Sequence, residues 1–187
     1  MKPAVQAGQT RQIFGYGSLI NTQSLLNTAA DASDIRPCYV KGFRRSFNLW
    51  NARGWHKTNL DLAGVPYCAV DINETSDPDT KVNGVIFTVH NDDLVQLVKR
   101  EYVYKLVEST AYDFETGEVI GKCSLFSACK DDGQYVFDAP AQTRYLEVCL
   151  EGAKQYGEDF YAMFLETTYI GGKRLSDMPE LIGVSTG

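Results

Sequence analysis

Histidine and clustered cysteine are scarce in this sequence, and their scarcity argues against several kinds of catalytic site. Only two histidines occur, His56 in a polar stretch and His90 at the end of a predicted strand. The five cysteines form no Cys-x-x-Cys pair, and each lies in an apolar or strand-like segment. Such cysteines are typically buried, reduced thiols that act as small hydrophobic side chains. The pattern disfavours a cysteine–histidine nucleophile and predicts no metal site.

Long apolar runs and concentrated basic charge are also missing. No stretch of about 18 consecutive apolar residues occurs, and the first ten residues contain no apolar core of signal-peptide length. No basic run is longer than two residues, and 18 Lys and Arg against 24 Asp and Glu give a formal net charge of −6. Because nucleic-acid binding depends on a concentrated basic surface, we expect a cytoplasmic protein that binds neither nucleic acids nor membranes.

The composition is that of an ordinary globular domain. Hydrophobic residues make up 44% and charged residues 22% of the 187 residues, which is far from the composition of disordered chains. The sequence contains no internal repeat and no low-complexity tract. We therefore predict one domain over residues 1–187, with a loose tail at 171–187, where Gly, Ser and Pro occur.

Strand patterns outnumber helical patterns. Strands are predicted at 13–16, 36–49 with a kink at Gly42, 65–72, 82–89, 104–112 and 123–129. Helices are predicted around Leu25 and Leu26, from the N-cap Asn91 to Glu101, and after Pro140 as far as Gly157. A final ordered piece, of unassigned type, is predicted at Phe160–Leu165. Several strands are joined by hairpins. The predicted fold is therefore α+β, a small mixed β-barrel-like sheet with flanking helices, and not a doubly wound parallel sheet.

One predicted helix carries a carboxylate on its inward-facing side. Leu94, Leu97 and Val98 define the apolar stripe, and Glu101 takes the next position of that stripe. Burial raises the pKa of a carboxylate toward the range that is useful for proton transfer. Two structural alternatives stay open: the helix ends before this position, or Glu101 pairs with a buried arginine such as Arg45.

Glycines follow the first predicted strand, in the turn Gly15-Tyr16-Gly17-Ser18-Leu19, which we call the cradle. Glycine allows the backbone to approach a ligand closely, and successive N–H groups at a helix start bind carboxylates or oxyanions. A dinucleotide-binding motif requires glycine where Ile20 stands, and a nucleophile elbow at Ser18 requires glycine at Tyr16 and Ile20. The spacing alone leaves open a tight structural turn and an anion-binding site.

At three places the sequence resembles the γ-glutamylcyclotransferase-like family, which includes glutathione-specific members. Tyr16-Gly17-Ser18-Leu19 is similar to the family's first turn, and Arg100-Glu101-Tyr102-Val103-Tyr104 is similar to the segment that carries its catalytic glutamate. Its C-terminal helix is similar to Pro140–Tyr145 followed by Gly152–Gly157. The matches occur in the family's order across residues 13–157. The segment Trp50–His56 has no counterpart that we can align.

The resemblance implies a small mixed barrel around one cavity and an intramolecular aminolysis. The α-amine of a γ-glutamyl group attacks its own γ-carbonyl, which forms 5-oxoproline and releases the attached amine or peptide. Glu101 would be the general acid/base, and the reaction needs neither a metal nor a cofactor.

Substrate binding is also assigned by the resemblance. Backbone N–H groups of Gly17, Ser18 and Leu19 would hold the α-carboxylate or the developing oxyanion. Three tyrosines are secondary candidates, because each can donate a hydrogen bond from an otherwise apolar wall: Tyr16, Tyr104 and Tyr145. The alternative for each of them is a purely structural core residue.

Two other functions stay open: a non-catalytic binding module with the same fold, and a related enzyme that removes γ-glutamyl from an amine or a carrier-bound product. The expected partner is a small-molecule γ-glutamyl compound. The sequence does not distinguish glutathione, γ-glutamyl amino acids and γ-glutamylamines as substrates, nor a monomer from a homodimer.

Overall fold

The computed structural model describes residues 9–50, 68–100, 104–128 and 143–183. At positions 48–50, 68, 69, 100, 104, 128, 143 and 144 only the backbone is described. The predicted base Glu101 lies outside the described residues. So do residues 51–56 of the segment without an alignable counterpart and residues 140–142, with which the third similar stretch begins.

Strands dominate the described chain. They are β1 (Thr10–Gly15), β2 (Ser33–Lys41), β3 (Phe43–Trp50), β4 (Cys68–Glu74), β5 (Lys81–His90), β6 (Tyr104–Asp113), β7 (Val119–Ala128), β8 (Thr168–Ile170) and β9 (Lys173–Arg174). The helices are α1 (Thr22–Thr28), α2 (Asn91–Arg100), α3 (Thr143–Lys154) and α4 (Glu158–Glu166). Single 3₁₀ turns occur at Ser18–Ile20, Leu175–Asp177 and Pro179–Leu181.

Five strands close a barrel in the order β1-β5-β2-β6-β7, and a second sheet has the order β4-β3-β8-β9. The barrel closes through a parallel contact of β1 with β7, at Ile13 and Ser124, and its other neighbouring strands are antiparallel. In the second sheet, β3 pairs in parallel with β8. The predicted α+β fold with a mixed barrel and flanking helices is confirmed.

One apolar core joins the two sheets and the four helices. Alternate residues of the strands point into it, and each helix contributes at least one buried apolar side chain, such as Leu25, Leu97, Leu146 and Phe160. Burial of a side chain of this size contributes roughly 1.5–3 kcal/mol each, so the core is the main source of stability.

Short sequence patterns predicted most of the helices and strands at the correct positions. Gly42 separates β2 from β3 with a φ of 80°, a conformation that favours glycine, as the predicted kink requires. Leu94 and Leu97 of α2 are buried, and Val98 packs against the core. The inward stripe predicted for this helix is therefore present.

Three element boundaries differ from the prediction. Helix α2 begins at Asn91 itself, directly after β5, so Asn91 is the first helical residue and not the N-cap. Helix α3 ends at Lys154, and Gly157, with a φ of 96°, is the N-cap of α4. Residues 171–183, where the sequence predicts a loose tail, instead contain β9 and two 3₁₀ turns, and Leu175 is fully buried.

The predicted hairpin between β6 and β7 turns around Asp113. One carboxylate oxygen accepts hydrogen bonds from the N–H groups of Glu115 and Thr116, each at 3.0 Å, and the other accepts from Arg36 at 2.7 Å. The Thr116 N–H and then Arg36 lower the pKa of Asp113 from 3.8 to about 2.

Asp113→Ala should therefore destabilise the fold more than Arg36→Met, because it removes the turn contacts as well as the exposed ion pair. A depressed folded-state pKa gives stabilisation that is present above pH 4 and is lost as the pH falls toward 2. Urea unfolding should show the wild type and Asp113→Ala converging over this range. Equal losses from the two variants at pH 7 would contradict this account.

Candidate active site

A cavity opens where β1 leaves the barrel and the chain enters the cradle. Its wall is formed by the cradle, by one residue of the second sheet, by one of β7 and by one of α3. The lining residues are Phe14, Gly15, Tyr16, Gly17, Ser18, Leu19, Val70, Phe126 and Tyr145. Five residues predicted from the sequence to bind substrate thus line one cavity: Tyr16, Gly17, Ser18, Leu19 and Tyr145.

Gly17 is the most tightly confined point of the cradle. A Cβ atom there would lie 2.4 Å from Val70 Cγ1 and 2.8 Å from the Tyr145 hydroxyl oxygen. These distances are shorter than van der Waals contact, so a side chain at this position would displace the side chains of Val70 and Tyr145 from where they line the cavity. Glycine therefore lets the backbone itself form the cavity wall.

The backbone of the cradle is arranged as a single 3₁₀ turn. The carbonyl groups of Gly17 and Ser18 accept from the N–H groups of Ile20 and Asn21, both at 3.1 Å. Within the described ranges, the N–H groups of Gly17 and Leu19 donate to no acceptor. Buried N–H groups normally have a partner, and these two are therefore the backbone donors most available to a bound anion.

Helix α3 is held against the cradle by Asn21. The Asn21 side chain accepts from the N–H of Ser24, which caps α1, and donates to the carbonyl of Val148 in α3. A Cβ on Gly152 would lie 2.6 Å from Asn21 N. Gly152 therefore permits the close approach of α3, which in turn brings Tyr145 to the cavity.

Tyr16 is 7% exposed, and its hydroxyl group donates a short hydrogen bond to the carbonyl of Phe126 in β7. A phenol has one proton to donate. Because that proton is committed to the barrel, the hydroxyl oxygen of Tyr16 is limited to accepting further hydrogen bonds. If Tyr16 contacts the substrate, as the sequence predicts, its hydroxyl oxygen therefore accepts the hydrogen bond.

The structure describes the side chain of Tyr145 but not that of Tyr104, the two remaining tyrosine candidates. Tyr145 is 9% exposed, meets Phe47 edge-on with ring centroids 5.9 Å apart, and places its hydroxyl beside Gly17. Of Tyr104 only the backbone is described, at the start of β6 opposite Ala128.

Strand register relates the cradle to the start of β6. Ser124 of β7 lies opposite Ile13 of β1 and also opposite Glu108 of β6. Because β6 runs antiparallel to β7, its first residue Tyr104 lies four positions beyond this level, toward the barrel end at which β1 enters the cradle. The cradle and the beginning of β6 therefore share one end of the barrel.

Arg45 is a functional candidate that the sequence analysis weighed only as a structural partner for Glu101. It is fully buried in β3, and its guanidinium donates to the carbonyl of Tyr16, inside the cradle, at 3.2 Å. Burial lowers the pKa of Arg45 to about 9, so the group is still cationic at neutral pH. In the sequence, its position between Phe43 and Phe47 on the inward side of the alternating strand pattern indicates that Arg45 is buried.

The described cysteines are buried thiols. Cys38, Cys123 and Cys149 form no disulfide. Burial raises the pKa of Cys123 to about 12 and raises that of Cys38 further. Both thiols are thus protonated at neutral pH, which makes them poor nucleophiles.

Metal-binding clusters and membrane-spanning helices are both absent from the described residues. No group of three or more His, Cys, Asp or Glu side chains in these segments is arranged to hold a metal ion. No described helix has the length and apolar character needed to cross a membrane.

Solved structures with this architecture include enzymes. One described as γ-glutamyl cyclotransferase has a TM-score of 0.66 and 18% identity, covering 94% of this chain and 99% of its own. An uncharacterized human protein has a TM-score of 0.66 and 19% identity, covering 93% and 98%. A yeast γ-glutamyl cyclotransferase described as specific to glutathione has a TM-score of 0.55 and 14% identity, covering 96% and 90%. At these identities the likeness establishes the fold.

Membership of a family rests on the sequence. The family model described as ChaC-like protein matches residues 11–154, most of the chain, and the chain therefore belongs to the ChaC-like family. This match and the structural neighbours confirm the predicted γ-glutamylcyclotransferase-like family. None of the curated protein sequences matches the chain significantly.

Tyr16→Phe tests the hydrogen bond that joins the cradle to β7. Loss of the hydroxyl leaves the buried Phe126 carbonyl without this donor, and we expect the free energy of unfolding to fall by about 1 kcal/mol. Urea titration measures the change, and Tyr169→Phe, which alters a surface hydroxyl bonded to Arg174, is the control. A Tyr16→Phe protein as stable as the wild type would show that this contact does not stabilise the cradle.

Proposed function

We propose that the chain is a γ-glutamylcyclotransferase that converts a γ-glutamyl amino acid, peptide or amine to 5-oxoproline. The observation that carries the proposal is the cavity at the barrel end, where a glycine-containing turn offers backbone donors beside the buried Arg45. Membership of the ChaC-like family and the fold of its neighbours support the same reaction. We also propose that the protein is cytoplasmic and that residues 1–187 form a single domain.

The reaction is a ring closure within the substrate. The α-amine, once deprotonated, attacks the γ-carbonyl carbon, and the carbonyl electron pair moves to oxygen. The attacking nitrogen then gives up a second proton, and collapse of this tetrahedral intermediate breaks the bond to the leaving nitrogen, which takes up a proton and departs as an amine. Since nucleophile and carbonyl belong to one molecule, the protein mainly has to hold the cyclic conformer and move protons.

Cradle donors would stabilise the negative charge of the substrate. The N–H groups of Gly17 and Leu19 meet no described acceptor, and Gly17 and Leu19 line the cavity. Fixed backbone donors hold a carboxylate or a developing oxyanion without reorganisation. We assign the same role to the Ser18 N–H and a wall position beside the substrate to Tyr145, with Tyr104 as a further candidate.

Glu101 would accept the proton of the substrate ammonium and deliver one to the leaving nitrogen. It precedes Tyr104 by three residues, and chain connectivity keeps two residues at this separation within about 11 Å of each other. Tyr104 starts β6 at the cradle end of the barrel. A carboxylate from this segment is thus within reach of the cavity.

The alternative of a purely structural pair between Glu101 and Arg45 is disfavoured by the contacts of Arg45. Its guanidinium has five N–H groups, and its described acceptors are neutral oxygens at six positions. No donor is left over for a carboxylate. Of these two roles for Glu101, proton transfer is therefore favoured over a pair with Arg45.

A panel of compounds separates the enzyme from a binding module. Glutathione, a γ-glutamyl amino acid and a γ-glutamylamine should be assayed for 5-oxoproline release, with an α-glutamyl dipeptide as the control that does not present a γ-carbonyl linkage. We expect release from at least one γ-glutamyl compound and none from the control. Binding of these compounds without any release would instead favour the non-catalytic module.

Glu101→Gln tests the proposed base. The amide keeps the shape of the side chain but does not exchange the proton, so 5-oxoproline formation should slow by roughly 10²–10⁴-fold while the substrate still binds. Glu118→Gln, on the exposed β6–β7 turn, makes the same chemical change away from the cavity and should have no effect. Wild-type turnover in folded Glu101→Gln protein would refute the assignment; a loss of stability with retained turnover would indicate a structural carboxylate.

A further inference from the structure

Arg45 occupies a position that charged side chains rarely take. It is 0% exposed, and its neighbours on the inward face of β3 are Phe43 and Phe47. Its guanidinium also lies over the ring of Phe164, with the central carbon 3.9 Å from the ring centroid. Removing a guanidinium from water is costly unless every N–H group has an acceptor.

Every N–H group of Arg45 has one. Nε donates to Thr168 Oγ1 at 2.8 Å, Nη1 donates to the carbonyls of Tyr16 and Asn83, and Nη2 donates to Asn83 Oδ1, Thr167 Oγ1 and the carbonyl of Phe164. These acceptors belong to β5, to β8, to the end of α4 and to the cradle. None of them is a carboxylate, so the positive charge is solvated by dipoles and is not neutralised by them.

The bond to Tyr16 fixes the orientation of one peptide group in the cradle. The Tyr16–Gly17 peptide is trans, and in a trans peptide the carbonyl and the following N–H point in opposite directions. Because the Tyr16 carbonyl is held by Arg45, the Gly17 N–H is turned away from Arg45. Gly17 lines the cavity and its N–H meets no described acceptor.

We propose that Arg45 is a positioning residue that locks the Tyr16–Gly17 peptide so that the Gly17 N–H faces the anionic oxygen of the substrate. This inference rests on the proposed function. Arg45 itself does not touch the substrate and acts on it through the Tyr16–Gly17 peptide. The uncompensated charge of Arg45 also favours an anion on the far side of the same peptide group.

Lysine at this position preserves the charge but not the geometry. A single ammonium has three donors at one point, whereas the guanidinium spans acceptors on four elements. Arg45→Lys should therefore free the Tyr16 carbonyl and let the peptide rotate. Arg44→Lys is the matched control, since Arg44 is exposed on the opposite face of β3, against Tyr169.

Isotope labelling gives a direct view of the peptide group. The sequence contains Tyr followed by Gly only at Tyr16-Gly17 and Tyr156-Gly157. Protein labelled with ¹³C-carbonyl tyrosine and ¹⁵N-glycine thus gives two correlated amide signals, that of Gly17 and that of Gly157. The Gly157 N–H bonds to the Lys154 carbonyl, remote from the cavity, and is an internal reference.

The probe is 5-oxoproline, with 2-pyrrolidone as the ring that lacks a carboxylate. In wild-type and Arg44→Lys protein, 5-oxoproline should shift the Gly17 signal more than 2-pyrrolidone does and leave Gly157 in place. In Arg45→Lys the Gly17 signal should move before any ligand is added, its response to 5-oxoproline should be lost, and kcat/KM should fall by about 10²-fold. A fall in kcat alone identifies the oxyanion as the partner; a rise in KM alone identifies the carboxylate.

If Arg45→Lys does not fold, Thr168→Val removes the one described acceptor of Nε and should weaken the Gly17 response in the same direction. A folded Arg45→Lys or Thr168→Val protein with the wild-type Gly17 signal and ligand response would overturn the inference, whatever the activity. If these variants alter the Gly17 signal but the wild type releases no 5-oxoproline from any γ-glutamyl compound, the proposed function fails and the positioning role stands.

Discussion

The requirement that a buried guanidinium bond every one of its N–H groups links the separate parts of this fold. Arg45 starts in the second sheet, and its acceptors lie in the barrel, in the short parallel strand β8, at the end of α4 and in the cradle. Loss of an acceptor that no other group replaces, such as Thr168 Oγ1 for Nε, would leave a buried donor unpaired at a cost of about 1–3 kcal/mol. The arrangement therefore favours a single relative position of barrel, second sheet and cradle, which is what a preorganised site requires.

Glycine supplies a second constraint, because neighbouring groups fill the space that a side chain would need at Gly17 and at Gly152. Val70 and the Tyr145 hydroxyl occupy the space beside Gly17, and Asn21 occupies the space beside Gly152. Helix α3 can consequently lie directly on the 3₁₀ turn that follows β1. Because Arg45 holds the carbonyl of Tyr16 and α3 packs against the other side of the turn, the cradle is confined from two directions.

Sequence patterns predicted the features that depend on local interactions. The stripe of Leu94 and Leu97, the kink at Gly42 and the β6–β7 turn were all identified, since each is determined by a few neighbouring residues. Features that depend on distant contacts were not. The Tyr16 hydroxyl bonds a carbonyl 110 residues away. Strand β3 pairs with β8 over a separation of 123 residues at Arg45 and Thr168. The cradle was recognised from its glycines and the family resemblance, but the support by Arg45 was not.

The guanidinium of Arg45 lies behind the cradle backbone and is not part of the cavity lining, and this position matters for the proposed proton transfer. A lysine or arginine that pointed into the cavity would attract both the substrate carboxylate and the carboxylate of the base, and would lower the pKa of the base below the range useful for catalysis. Every N–H group of Arg45 bonds a neutral oxygen, so none is left to pair directly with a bound anion or with the proposed base. The hydrogen-bonding effect of Arg45 on the anionic oxygen passes through the oriented Tyr16–Gly17 peptide. The two requirements of the ring closure, a basic carboxylate and a stabilised anion, are thereby compatible within one small cavity.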